Sequence, residues 1–383
     1  MQCTSSDGWF EKMAAVCLKS GLAQAGAVTP PTFPSQWLSD GMWVMCSLQS
    51  GCSLSSVQRG SYVWRFSDGV VANVDHEFGQ RLCDQLVGRG GGLLLVGDSV
   101  SHQHFDGLAT LLRGQANASL RSSLWPTRTA SAQLSAALSS LQLQSVCNGK
   151  AILAFQRNDW LETSPSYGVR RSDTSITNAQ GMKLWRCETG TERTEHHIVN
   201  STAACAPWAI RELLAPFSVV VTNSGAHHVP DEDYRTLMRL AATKLSAHAT
   251  STGAIALFRT TVPGFSNCSK YAAARPHATL QAAEDFLQAH PFHNQQAFVR
   301  GHNAISVEEF VANGLGVIDA YSPSVLRVDD RRAYGNDCLH YPTRHPQQQH
   351  SSMTHWTYLL GAVLDKTLPA APPANGTNRL GLV

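Results

Sequence analysis

The sequence predicts an α/β protein in which a mostly parallel sheet is covered by helices on both faces, as a three-layer α/β/α sandwich. Several short runs are apolar throughout rather than alternating, which is typical of parallel strands buried on both faces. Longer amphipathic segments lie between them. A strand, helix, strand order predicts right-handed crossover units that build one sheet. With 383 residues, 43% of them hydrophobic, the chain can bury a full core.

Four segments are predicted to form the buried strands, and all of them are brief and apolar. They are residues 92–97, 150–155, 217–223 and 254–260. Between the third and the fourth, residues 231–249 predict a helix because apolar side chains recur at helical spacing. These side chains are Tyr234, Leu237, Met238, Ala241 and Leu245. The acidic start of this segment complements the helix dipole.

Proline-rich and glycine-rich stretches divide the chain. TPPTFPSQW, at 29–37, is typical of a linker, and the last residues have the Pro, Ala, Asn and Gly bias of a disordered end. The segment before 92 is rich in Gly, Ser and aromatic residues and lacks long periodicity. We therefore predict a flexible N-terminal segment 1–35, a loop-rich, disulfide-pinned subdomain 36–91, a catalytic domain 92–366 and a disordered tail 367–383.

The charge pattern argues against nucleic acid and acidic membrane surfaces as partners. The net charge is +2, only 15% of residues are charged, and no dense Lys/Arg run occurs. A neutral small molecule or a glycan is the more natural ligand. The sequence predicts no particular oligomeric state.

Cysteines and glycosylation sequons predict the secretory pathway. The ten cysteines include no CxxC pair, so they favour disulfides over a zinc or thioredoxin-like site. Asn-x-Ser/Thr sequons stand at Asn117, Asn200, Asn267 and Asn375. The first 28 residues contain neither a basic n-region nor a span of about 20 apolar residues. We keep open the expectation that a membrane anchor precedes the present N-terminus.

The stretch LLLVGDSVSHQHFDGL places Ser99 directly after a predicted strand and at the start of a predicted helix. One face of that helix is marked by Ser101, Phe105, Leu108 and Leu112. Ser99 is therefore expected at the carboxyl edge of the sheet, where α/β proteins bind ligands and where free N–H groups can stabilise an oxyanion. The alternative is that Asp98 or Ser99 only caps the helix. The G-x-S-x-G elbow is not matched, because Ser101 occupies its last position.

A nucleophilic serine requires a base and a group that orients the base. In NDCLHYP, Asp337 and His340 are three positions apart, so within one helical turn both side chains can point the same way. Asp337 can then accept the Nδ1–H of His340, which leaves Nε2 for Ser99. The alternative is an ordinary surface pair in a turn.

Together these motifs resemble the SGNH/GDSL hydrolases, and within them the PC-esterase and trichome birefringence-like group of polysaccharide O-acetyltransferases. The resemblance includes Cys338 after the aspartate, and LAFQRNDWL, VVVTNSGAHH and ALFRTTVPGFSNC are similar to further stretches of that group. It spans roughly residues 40–360. The chain departs from the group at His102, where an arginine is usual, and at Pro342, where the plant proteins have another cysteine. The resemblance implies a flavodoxin-like SGNH fold.

The resemblance also implies a mechanism through an acyl-enzyme. Ser99 would attack an acyl donor, His340 would carry the proton and Asp337 would orient the imidazole. The oxyanion hole would consist of the Ser99 N–H with donors from Asn223 and Gly225. Asn158 is a rival donor, and Asn223 has the alternative of simply ending a strand. The residues expected to contact substrate are Asn158, His227 and His228.

By the same resemblance we expect an O-acyltransferase, chiefly an O-acetyltransferase, of the Golgi lumen or a secreted one. The donor would be acetyl-CoA or another acetylated carrier, with no resident cofactor, and the acceptor a hydroxyl of a glycan or polysaccharide. One alternative is a carbohydrate or lipid esterase of the same fold, because water can replace the sugar. The other is a non-catalytic glycan-binding or scaffold protein, against which an intact Ser, Asp and His argue.

Histidines and tryptophans offer weaker signals. Histidines recur every five residues from His340 to His355, but five residues advance a helix by about 140° beyond one turn, so no single face collects them. We therefore expect no metal site. Four tryptophans are candidates for stacking on sugar rings, although an aromatic residue is more often part of the core. They are Trp125, Trp160, Trp208 and Trp356.

Overall fold

A computed structural model describes the chain over residues 41–45, 62–66, 72, 74–117, 119–125, 131–163, 206–293, 295–331, 337–341 and 351–366. These residues form an α/β fold around a mixed six-stranded sheet, which confirms the α/β class. The predicted segments 1–35 and 367–383 lie outside the described residues.

The strands form one antiparallel pair and one larger sheet. The pair consists of β1 (Gly41–Met45) and β2 (Tyr62–Phe66). The larger sheet contains β3 (Gly92–Gly97), β4 (Gln142–Val146), β5 (Ala151–Arg157), β6 (Val219–Thr222), β7 (Ile255–Arg259) and β8 (Gly316–Ile318). Their order across the sheet is β4-β5-β3-β6-β7-β8, and only β4 runs antiparallel to its neighbour.

Helices lie against both faces of this sheet. The helices of the described residues are, in chain order, α1 (His76–Gly88), α2 (Ser99–Leu111), α3 (Leu120–Leu124), α4 (Ala132–Ser140), α5 (Arg211–Leu214), α6 (Asp231–Thr252), α7 (Leu280–Ala289), α8 (Val299–Ala312), α9 (Tyr321–Val325) and α10 (Ser352–Lys366). Leu94 and Val96 of β3 share a buried cluster with side chains of α4, α6 and α8. Leu93 and Leu95 share another with α1, α2 and α10. Alternate side chains of β3 therefore pack into two hydrophobic cores, one on each face of the sheet.

The four predicted strands all form: residues 92–97 match β3 at both ends, and the ends of the other three differ by one or two residues. The predicted helix at 231–249 extends to Thr252, and all five of its predicted apolar residues are buried. Gly253 caps its C-terminus, with a φ of +74° that suits glycine. Strands β4 and β8 were not predicted from the sequence. β4 is an edge strand that is only partly buried, so it need not be apolar throughout, and β8 has only three residues.

Helix α1 lies within the segment that the sequence suggests is loop-rich. Asp75 caps it by accepting the N–H of Phe78, and Leu82 and Leu86 are buried in the cluster on one face of the sheet. A disulfide joins Cys83 of α1 to Cys147, in the turn between β4 and β5. The regular structure here therefore exceeds the expectation, whereas the division of the chain at 91 stays a prediction.

Two disulfides, Cys83–Cys147 and Cys268–Cys338, occur in the described residues. The other six cysteines lie outside them. Disulfides persist in oxidising compartments, so these bonds are compatible with a lumenal or secreted protein. Asn117 and Asn267 are exposed, as glycosylation sites must be, while Asn200 and Asn375 lie outside the described part of the chain.

A separate observation concerns membranes: among the helices that the structure describes, none has the length and apolarity needed to cross a bilayer.

Candidate active site

The turn between β3 and α2 gives Asp98 and Ser99 different tasks. Asp98 caps α2, because its carboxylate accepts the N–H groups of Val100, at 2.9 Å, and Ser101, at 3.2 Å. Ser99 is the first helical residue, and its hydroxyl takes no part in the cap. A Cβ on Gly97 would approach the backbone oxygen of Asn223 to 2.7 Å, so only glycine lets the two strand ends lie this close.

Ser99, His340 and Asp337 form a continuous hydrogen-bonded chain. The Nε2 of His340 lies 2.7 Å from the Ser99 hydroxyl oxygen, and its Nδ1 lies 2.9 and 2.8 Å from the two oxygens of Asp337. Because Asp337 accepts the Nδ1–H, the lone pair of Nε2 faces the serine hydroxyl. This is the geometry in which an imidazole can take the proton of an attacking hydroxyl.

The Asp337 to His340 segment is a bend rather than the helical turn that the spacing suggests. The carboxylate of Asp337 accepts the backbone N–H of His340 at 3.3 Å as well as its ring N–H. A short acidic side chain can close such a turn on its own, so the two side chains meet without a helix.

Neighbouring elements hold this bend against the sheet. Cys338 is bonded to Cys268, which lies in the loop after β7. The backbone of Tyr341 exchanges two hydrogen bonds with the side chain of Gln103 on α2, at 2.7 and 3.0 Å. Arg331 donates to the backbone oxygen of Leu339 at 2.8 Å. The segment that carries the base is therefore attached both to α2, which carries Ser99, and to the loop after β7.

Free N–H groups stand where the sequence predicts an oxyanion hole. The N–H groups of Ser99 and Gly225 have no hydrogen-bond acceptor among the described residues. Gly225 has a backbone φ of +120°, which residues other than glycine rarely adopt. Asn223 differs, because its side-chain amide donates to the backbone oxygen of Arg259 at 2.8 Å and to the hydroxyl of Thr261 at 2.6 Å. Its expected role as an oxyanion donor stays a prediction, and neither amide hydrogen is free for it.

The side-chain amide of Asn158 also hydrogen-bonds within the protein. It is fully buried, and its side-chain amide donates to the backbone oxygens of Glu162 and Ala206, both at 3.1 Å. Its own oxygen accepts the N–H of Glu162 at 2.9 Å. Asn158 thus closes the loop after β5. Its expected contact with substrate or oxyanion stays a prediction, and the structure gives its amide this other task.

His227 and His228 differ in exposure and contacts. The side chain of His227 is 34% exposed, and its Nε2 lies 3.3 Å from the carboxylate of Asp159. Burial raises the pKa of Asp159, while His227 and Arg157 oppose that rise. His228 is half-buried with its ring edge on Phe298. Neither Asp159 nor Arg157 is predicted from the sequence as a site residue, although both stand in the stretch LAFQRNDWL.

A buried arginine in contact with Ser101 of α2 was likewise not predicted. The guanidinium carbon of Arg259 lies 4.4 Å from the centre of the Trp356 ring, and its guanidinium donates to the hydroxyl of Ser101 at 3.1 Å. Burial lowers the pKa of Arg259 to about 10, and the nearby carboxylate of Asp98 opposes that shift. The only signal in the sequence is a single charged residue at the end of the apolar run AIALFRT.

The four candidate tryptophans belong to the core. Trp125, Trp160, Trp208 and Trp356 are all buried. Of the evenly spaced histidines, His345 and His350 lie outside the described residues, and His355 is buried in α10. Within the described ranges no group of three His, Cys, Asp or Glu side chains is arranged to hold a metal ion.

Comparison with known proteins adds no family assignment. A scan against protein-family models finds none that matches the chain. A search of curated proteins finds no match either. The resemblance to the SGNH/GDSL hydrolases therefore rests on the motifs themselves, and the geometry around Ser99 is the basis for a functional proposal.

Proposed function

We propose that this chain is a serine O-acyltransferase of the SGNH/GDSL type, chiefly an O-acetyltransferase, that modifies hydroxyl groups of a glycan or polysaccharide. The observation that carries the proposal is the hydrogen-bonded chain from Ser99 through His340 to Asp337. Helices on both faces of the sheet agree with the flavodoxin-like, three-layer SGNH fold that we assign.

In the first half-reaction the Ser99 oxygen attacks the carbonyl carbon of the acyl donor. The hydroxyl proton passes to Nε2 of His340, and Asp337 stabilises the imidazolium. The N–H groups of Ser99 and Gly225 receive the negative charge that develops on the carbonyl oxygen. When this intermediate collapses, the bond to the leaving group breaks, His340 returns the proton to that group, and acyl-Ser99 remains.

In the second half-reaction a sugar hydroxyl attacks the acyl-Ser99 carbonyl, while His340 takes the hydroxyl proton and then returns it to the Ser99 oxygen. The product is the acylated sugar. The donor class that fits is acetyl-CoA or another acetylated carrier. Disulfides and exposed sequons support the secretory route, and we assign the protein to the Golgi lumen or to the secreted fraction.

One observation favours an esterase as the second candidate. The side chains of His340 and Asp337 are 25% and 34% exposed, so water can reach the base. If water replaces the sugar in the second half-reaction, the same residues release a free acid. Transferase and esterase thus differ only in the acceptor.

A chromogenic acetyl ester, supplied with and without a neutral oligosaccharide, separates these activities. We expect ester turnover, acetylated oligosaccharide as product, and loss of both in Ser99→Ala. The surface variant Ser122→Ala is the matched control and should behave as the wild type. Turnover without acetylated sugar would select the esterase. Equal activity of Ser99→Ala and the wild type would refute the nucleophile, and no turnover at all would favour a binding protein.

A further inference from the structure

A second histidine and carboxylate pair lies at the same edge of the sheet as Ser99. Arg157, the last residue of β5, is the register partner of Gly97, and the N–H of Asn158 donates to the Gly97 oxygen at 3.0 Å. Asp159 follows β5 and His227 follows β6. These are the two strands that flank β3. The pair therefore stands beside the turn that carries Ser99.

The carboxylate of this pair is buried and fixed. The side chain of Asp159 is 3% exposed, and Arg157 donates to its two oxygens at 3.0 and 3.3 Å. The Nε2 of His227 lies 3.3 Å from Asp159, and the His227 ring also contacts Trp160, with ring centres 5.5 Å apart. The hydroxyl of Ser224 donates to the backbone oxygen of Asp159 at 3.0 Å, which ties the two loops together.

The exposed parts of the cluster are the histidine and the arginine. His227 directs one ring nitrogen to Asp159, so the other is available to a ligand, and the side chain is 34% exposed. Arg157 is 38% exposed and uses only two of its five N–H donors on Asp159. A hydrogen-bonding nitrogen and unused N–H groups, both held by one buried carboxylate, match the neighbouring hydroxyls of a sugar ring.

The nucleophile does not need this second pair. The Ser99 hydroxyl is already in contact with His340, whose loop is attached to the β7 side of the sheet through Cys338 and Cys268. His227 approaches from the loop after β6 and has its own carboxylate. A histidine with no task at the serine is free to serve the second substrate.

We propose that His227, Asp159 and Arg157 form the acceptor subsite, which binds hydroxyl groups of a neutral sugar adjacent to the hydroxyl that is acylated. This inference rests on the proposed acyl transfer. His227 and Arg157 touch the sugar, and Asp159 is a positioning residue that acts through them. The subsite favours attack by sugar over attack by water, so its loss reduces transfer and leaves ester hydrolysis in place.

The test measures hydrolysis and transfer with one donor, a chromogenic acetyl ester, and a neutral oligosaccharide as acceptor. For His227→Phe we expect the KM for the oligosaccharide to rise by about tenfold, as the loss of a substrate hydrogen bond predicts, with hydrolysis nearly unchanged. Asp159→Asn should show the same split in weaker form. His76→Phe, at an exposed position of α1, is the matched control, and Ser99→Ala should abolish both activities.

Other outcomes separate the two proposals. Equal loss of hydrolysis and transfer in His227→Phe would mean a structural role and overturn the subsite, as would unchanged transfer. If the wild-type protein hydrolyses the ester but transfers no acetyl group to the oligosaccharide, the subsite proposal is overturned as well. Activity that survives in Ser99→Ala would instead refute the acyl-enzyme. If Asp159→Asn does not fold, judged by its thermal melt, the partly exposed His227 still provides the test.

Discussion

The imidazole Nε2 of His340 lies 2.7 Å from the hydroxyl oxygen of Ser99, although 241 positions separate the two residues. The same imidazole donates to Asp337, only three positions before it. A local pair thus supplies the oriented base, and the fold brings the nucleophile to it. Helix α2 and the bend at 337–341 are joined directly through Gln103 and Tyr341, which is why the long separation still gives a short contact.

Removal of the base should lower turnover by orders of magnitude. We expect His340→Ala to lose about 10⁴-fold in kcat on an acetyl ester and Asp337→Asn somewhat less, because the members of a triad act as a unit. For the same reason Ser99→Ala combined with His340→Ala should lose no more than either single variant. Steady-state kinetics measure this. Near-normal rates in His340→Ala, or losses that multiply in the double variant, would contradict the triad.

The two disulfides should have different functional effects. Their sequence separations are 64 and 70, so chain entropy predicts a similar loss of stability, roughly 2–5 kcal/mol, when either is removed. Cys338, however, lies between Asp337 and His340. Cys338→Ser should therefore lower kcat in protein that remains folded, whereas Cys83→Ser should lower the melting temperature with little change in kcat. Equal kcat values for the two folded variants would count against a role of this bond in positioning the base.

The buried charges of Asp98 and Arg259 should be coupled. Arg259→Met removes one of the two arginines, the other being Arg157, that lie near the fully buried carboxylate of Asp98, and we expect a loss of about 3 kcal/mol in the free energy of unfolding. Asp98→Asn keeps a good helix cap and removes the charge, so the double variant should be more stable than the sum of the single losses predicts. Urea unfolding of the four proteins measures the coupling. Strict additivity would show that the two charges act independently.

The parallel core of the sheet could be predicted because burial on both faces leaves continuous apolar runs. β3, β5, β6 and β7 all have this pattern. Strand β4 could not be found in this way, since an edge strand with one open side tolerates the polar sequence QLQSV. Helix α1 was missed because its apolar positions are embedded in a segment whose overall composition favours loops.

For the site, the sequence predicted residue types better than hydrogen-bond assignments. Ser99, Asp337 and His340 follow from what acyl transfer requires, and the structure brings them together. The hydrogen bonds of the Asn158 and Asn223 side-chain amides depend on which backbone oxygens the folded loops place near them. The spacing of residues in the sequence does not predict this. The contact between Asp159 and His227 joins the ends of β5 and β6, the two strands that flank β3, so it depends on the strand order in the same way.

Glu162 should make stability depend on pH. It is 8% exposed, and burial raises its pKa from 4.5 to about 7. Between those values the folded protein holds a proton that the unfolded chain has lost, so this residue makes the free energy of unfolding fall as pH rises from 4.5 to about 7. Relative to the wild type, Glu162→Gln should therefore gain stability over this range, by about 3 kcal/mol at most.

Urea unfolding of Glu162→Gln and the wild type at pH 5 and pH 8 measures this difference. The exposed Glu77→Gln, in the first turn of α1, is the control and should show no such trend. A stability difference between Glu162→Gln and the wild type that stays constant with pH would contradict the raised pKa.

The acyl-enzyme itself tests the central claim most directly. Wild-type protein is mixed with a chromogenic acetyl ester, quenched in acid within the first turnovers, digested and examined by mass spectrometry. We predict one added acetyl group on the peptide that contains Ser99, located on Ser99 by fragmentation, and its absence in Ser99→Ala. Rapid ester turnover with an unmodified Ser99, or with the acetyl group on another residue, would contradict the account.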